Sequence, residues 1–113
     1  MKEIKAYIHN NRIADVIRAL KDSGQCNACG ACRNLSVTGV RSLLRSVDAA
    51  VRHYAVDLVE EVINESKLEL ICEDDQVDAL VGMIEHTART GQAEAGWIYV
   101  TDIGKAVPVA GRP

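Results

Sequence analysis

Three cysteines at a regular interval, Cys26, Cys29 and Cys32, sit inside QCNACGACRN. Thiolates spaced this way can converge on one metal ion or an iron–sulfur cluster, with Gly30 easing the bend. Two of them could instead pair as a redox-active disulfide, or the segment could be a loop of small residues that carries thiols without using them. No fourth ligand is evident. Cys72 falls on an expected strand and His9 at a strand end, so either would need the fold to bring it close. Elsewhere no Ser-His-Asp set and no positioned carboxylate pair can be read, so the chain is not expected to be an enzyme.

The elements that must hold this loop follow from periodicity. Ile4, Ala6 and Ile8 alternate with Lys5, Tyr7 and His9, which is the period of a half-buried strand. Asn10 or Asn11 can cap a helix whose stripe is Ile13, Val16, Ile17 and Leu20, and Gly24 can close it. Strand character resumes from Leu35 to Leu44, where Gly39 suggests a bulge or a close backbone approach. Leu68, Leu70 and Cys72 alternate with Lys67, Glu69 and Ile71. Asp74 and Asp75 can cap a second helix with Val77, Leu80, Val81, Ile84 and Ala88 on one face, ending near Thr90 before Gly91. Trp97 to Val100 is β-prone.

The segments IHNNRIADVIRAL and ICEDDQVDALVGMI run alike from strand end through polar cap to helix. Two such halves imply a βαββαβ order, an α+β ferredoxin-like sandwich with both helices on one sheet face. The other face, bearing Lys5, Tyr7, Lys67, Glu69 and Ile71, would meet water or further copies of the chain. At 113 residues, 48% hydrophobic, a single domain over 1–113 is expected. A net charge of -3 excludes the basic surplus that nucleic-acid binding needs. With no export signal and no long apolar run, the expected location is cytoplasmic and the thiols reduced. The connection 45–65 is too long for a hairpin, and such loops are commonly functional.

VTGVRS, KLELICEDDQVDALVGMI, ARTGQAEAGWIYV and the opening MKEIKAYI together resemble the PII signal-transduction proteins. That resemblance implies a homotrimer binding adenine nucleotide between subunits, and it makes 45–65 the T-loop-like arm, Arg89 to Trp97 the phosphate-binding B-loop and 26–32 an inserted loop. The nucleotide residues it implies are Ser36, Arg41, Ile71, Arg89, Thr90, Gly91 and Gly96, with Arg112 the nearest substitute for the tail arginines; Trp97, beside the presumed phosphate loop, is either a ligand-flanking ring or a packing residue. Arg45, Ser46 and Lys67 fall at effector or arm positions.

Several positions depart from the family pattern. Glu94, Ala95, Gly96 and Trp97 stand where the family has Gly-Asp-Gly-Lys, and Pro108 and Ala110 replace two tail arginines. The arm keeps only Arg45 of the stretch used with magnesium and 2-oxoglutarate, and Leu58 stands at the usual uridylylated tyrosine. Fewer cationic clamps cost most for the most charged ligand, so ADP or AMP is expected over weaker ATP. The vacated space beside Arg41, Arg45 or Lys67 would suit bicarbonate. The function so implied is a PII-like regulator of inorganic-carbon metabolism, of the carboxysome-linked kind, acting on a target such as a membrane transporter. The alternatives are a metal or redox sensor built on the cysteine loop, and nitrogen regulation.

Overall fold

A computed structural model describes residues 1–26, 32–43, 52–58, 60–91 and 96–110. Cys29, Arg45, Ser46 and Arg112 lie outside the described residues, as does much of the proposed arm. In chain order the elements are β1 (Lys2–His9), α1 (Ile13–Asp22), β2 (Arg33–Ser42), β3 (Arg52–Ala55), β4 (Glu60–Cys72), a 3-10 turn (Asp74–Gln76), α2 (Val77–Thr87) and β5 (Trp97–Asp102). The sheet runs β2-β4-β1-β5, with β3 added to β4. This is the ferredoxin-like arrangement. All the pairings are antiparallel.

Register decides which side chains are buried. Ile4 opposes Leu70 and Ala6 opposes Leu68, and all four are buried with Ile8 and Cys72 under the helices. Val16 and Leu20 of α1 and Leu80 and Ile84 of α2 complete that core, while Ile13, Ile17, Val77, Val81 and Ala88 pack at its margin. Both expected stripes therefore face the sheet. Removing their area from water is the main favourable term for so small a domain.

Arg12 ties the two halves together. Its carbonyl starts α1 by accepting from the Val16 N–H, while its Nε and Nη2 donate to the Thr87 carbonyl at 3.1 and 2.8 Å. A cation thus satisfies an acceptor at the C-terminal end of α2, where the helix dipole favours it.

The helix starts differ from the sequence expectation. Neither Asn10 nor Asn11 caps α1, because Asn10 Oδ1 instead accepts from Ser66 Oγ at 2.7 Å across the sheet. At the second start the Glu73 N–H donates to Gln76 Oε1 at 3.1 Å. Asp74 is engaged by the Met1 ammonium at 2.6 Å, a contact that lowers the Asp74 carboxyl and raises the amine.

The strand expectations also shift. Gly39 keeps regular register opposite Ser66 and meets nothing that a Cβ would touch. The bulge lies between Arg33 and Ser36 instead, where Asn34 takes φ 56°, a region asparagine tolerates. Residues 60–65, expected in the arm, belong to β4. No helix among the described residues is long and apolar enough to cross a membrane.

Leu80→Ala would leave a void beneath β1 and β4. We expect a loss of about 2–5 kcal/mol, read as a lower urea midpoint with an unchanged slope.

Candidate functional site

The sheet face away from the helices carries the odd residues of β1. Glu3 opposes Thr101, Lys5 opposes Tyr99 and Tyr7 opposes Trp97. Together with Val40, Arg41 and Ser42 of β2 these side chains line an open groove of about 640 Å³. Its aromatic wall is ordered. The Trp97 ring stacks on Tyr99 at 6.4 Å with 13° between planes, and Tyr7 meets Tyr99 edge-on at 6.0 Å. Trp97 and Tyr99 nonetheless remain 52% and 47% exposed, so the wall is free to take a ligand or another protein surface.

The charges on this face are mostly in pairs. Lys67 Nζ lies 3.1 Å from Glu69, and Lys5 Nζ lies 3.8 Å from Glu3. Arg41 Nη1 donates to both carboxylate oxygens of Asp57 at 2.7 Å. That hydrogen bond holds the Asp57 carboxyl below the ordinary range. Asp57 belongs to the turn after β3, so an ion pair joins the groove wall to the described part of the arm.

The groove unites two of the expected ligand residues, Arg41 and Trp97. Ser36 opposes Glu69 and Ile71 opposes both Glu3 and Arg33, so these two sit on the sheet but outside the groove lining. α2 ends at Thr87 with Ala88 as its C-cap, short of the expected end near Thr90, so Arg89, Thr90 and Gly91 lie beyond the helix, and Gly91 takes φ 86°, a left-handed conformation that glycine accepts. Gly96 has a packing reason of its own. A Cβ there would stand 2.0 Å from the Tyr7 carbonyl oxygen, so only glycine lets β5 join β1 at this point.

Sequence reasoning did not assign Glu3, Lys5, Tyr7, Tyr99, Thr101 or Asp57 to a site. The period-two pattern does put Lys5 and Tyr7 on the open face, and Tyr99 follows from Trp97 by the same period. Asp57 carried no local signal, since its partner is 16 residues away.

At the other end of β2, Cys26 and Cys32 are joined by a disulfide, with Cα atoms 4.6 Å apart. A metal or cluster would first need both sulfurs reduced. Among the described residues no three His, Cys, Asp or Glu side chains gather as metal ligands. Cys72 is a buried thiol in the core, and desolvation pushes it up.

The family model for nitrogen regulatory protein P-II matches residues 1–111. The chain belongs to the P-II family. Among curated relatives it is 28% identical to nitrogen regulatory protein P-II 2 of Methanothermobacter thermautotrophicus over 109 residues, covering 96% of this chain and 89% of the relative. It is equally 28% identical to nitrogen regulatory protein P-II of Pasteurella multocida and to P-II 1 of Escherichia coli, covering 96% of this chain and 91% of each relative. This P-II family member is thus a divergent signalling protein of that fold, matched along almost its whole length.

Gly96→Ala should unpair the start of β5 and cost about 1–3 kcal/mol, measurable by urea denaturation. The Arg41–Asp57 ion pair is what keeps the Asp57 carboxyl low. It stays paired above the ordinary carboxylate pKa and is lost as pH falls through its depressed value. Carbon-detected NMR of the Asp57 carboxylate should therefore titrate below a model aspartate, and Arg41→Ala should return it to the ordinary range.

Proposed function

We propose that this chain is a PII-like homotrimeric regulator that binds adenine nucleotide, ADP or AMP in preference to ATP, where the open-face groove of one copy is closed by the next. The observation that carries this reading is the groove itself. It sets the Arg41 guanidinium opposite a stacked Trp97–Tyr99 wall whose rings are half in water. Aromatic rings favour a planar base, and a guanidinium favours phosphate oxygens. Ser36, Ile71, Arg89, Thr90, Gly91 and Gly96 would complete the cleft, with Arg112 from the tail.

The preference for fewer phosphates rests on chemistry. The described tail carries Pro108 and Ala110 where relatives place arginines, and Trp97 stands at a lysine position. Lys67 already holds a carboxylate partner. A triphosphate would find few cations left to neutralise it.

In the proposed mechanism an anion at Arg41 displaces Asp57, which frees the turn after β3 and alters what the arm, with Arg45 and Ser46, presents to a target. Bicarbonate is the second effector that this reading favours, and the target would be a protein of inorganic-carbon handling such as a membrane transporter. The ligand must discriminate between the two arm states for this to work.

Calorimetry tests each part. ADP and AMP should bind more tightly than ATP, and Trp97→Ala should weaken ADP about tenfold, a loss of about 1.4 kcal/mol. Replacing Thr90 and Gly91 together should abolish binding. Failure of all three nucleotides to bind would overturn the adenylate reading, and identical affinities with and without bicarbonate would remove the carbon part.

A further inference from the structure

The α1–β2 connection carries chemistry that the adenylate reading leaves unused. Its two described sulfurs are brought together by more than the bond between them. After α1, Ser23 Oγ donates to the Leu20 carbonyl at 2.6 Å, the Gln25 N–H donates to Ser23 Oγ at 3.2 Å, and Gly24 turns the chain at φ 78°. Those contacts set the position of Cys26. On the other side Arg33 pairs with Ile71, and the Cys32 N–H donates to the Gln25 carbonyl at 2.8 Å. The disulfide therefore spans a separation of 6 residues that backbone hydrogen bonds already close.

Two consequences follow for the bond. It constrains little chain that the fold leaves free, so its contribution as a staple is small. A reduced pair also stays within bonding reach, so re-oxidation requires no search.

Gln25 Oε1 is buried with no hydrogen-bond partner among the described residues. Next to it in the chain, reduction would create an S–H donor that the disulfide lacks.

We propose that Cys26 and Cys32 are a reversible dithiol/disulfide pair whose state sets the start of β2, the edge strand that carries Ser36 and Arg41. The partner is a dithiol reductant. Its thiolate attacks one sulfur, giving a mixed disulfide and releasing the other cysteine as a thiolate. Its second thiol then displaces the attached cysteine. Two electrons and two protons pass to the protein, and the reductant leaves as its own disulfide. The structural consequence falls on the bulge between Arg33 and Ser36, because Asn34, at φ 56°, comes two residues after the pinned Cys32. Cys72 lies on the buried side of β4, so exchange is confined to the loop.

This inference does not depend on nucleotide binding, and its test uses no nucleotide. The full chain is equilibrated in mixtures of reduced and oxidised dithiothreitol, alkylated and mapped by mass spectrometry, with circular dichroism and amide exchange recorded in parallel. The Cys26–Cys32 link should disappear and return over the cycle with the circular dichroism unchanged. On reduction, amide exchange in residues 33–42 should speed up at least threefold, and the Cys26→Ser, Cys32→Ser double variant should show the fast rate in both buffers. A bond that yields only when the chain unfolds would overturn the proposal. So would recovery of the link through Cys29 or Cys72, equal exchange in both states, or one metal ion per chain in protein purified under reductant without oxygen.

Discussion

The pairing of β1 with β4 is the constraint on which the rest of this molecule rests. Eight consecutive residue pairs, from Lys2 opposite Cys72 to His9 opposite Glu65, fix two central strands in one register. Side chains alternate strictly across a strand, so that register places Ile4, Ala6, Leu68 and Leu70 under the helices and Glu3, Lys5, Tyr7, Lys67 and Glu69 on the open face. A slip of one residue would bury the charged set and expose the aliphatic one. Core and groove are thus two sides of a single decision. The hydrophobic requirement of one face positions the polar chemistry of the other.

Much of this was legible in the chain because alternation and helical stripes are local. The six main elements, their order and both buried stripes follow from spacing alone. What escaped was set by partners distant in sequence. Asn10 looked like a helix cap, yet Ser66 claims its side-chain oxygen across the sheet. Gly39 looked like the irregular point of β2, yet the bulge falls beside Asn34, where the chain leaves the disulfide-bonded loop. Arg41 was indicated as a ligand residue, and its ion pair with Asp57 had no signal in the sequence.

The candidate site divides in the same way. Arg41 was indicated by resemblance and Trp97 by its place beside the presumed phosphate loop, and both line the groove, whereas Gly96 was indicated as a ligand contact and has a tighter steric role beside the Tyr7 carbonyl. The two ends of β2 also differ in character. One end is fixed by a covalent bond, and the other is held by an exposed ion pair that competes with solvent and salt.

Strand β4 has 13 residues, and β1 accompanies only those from Glu65 onward. The stretch from Glu60 to Asn64 therefore runs on past the end of β1 by about 16 Å, at roughly 3.3 Å per residue. It is braced by the end of β2 on one flank and by β3. A braced ribbon of this kind behaves as a stiff beam rather than a slack tether. Its root is shared with the groove, because Asn64 pairs with Arg41 and Ile63 with Ser42, two residues of the groove lining.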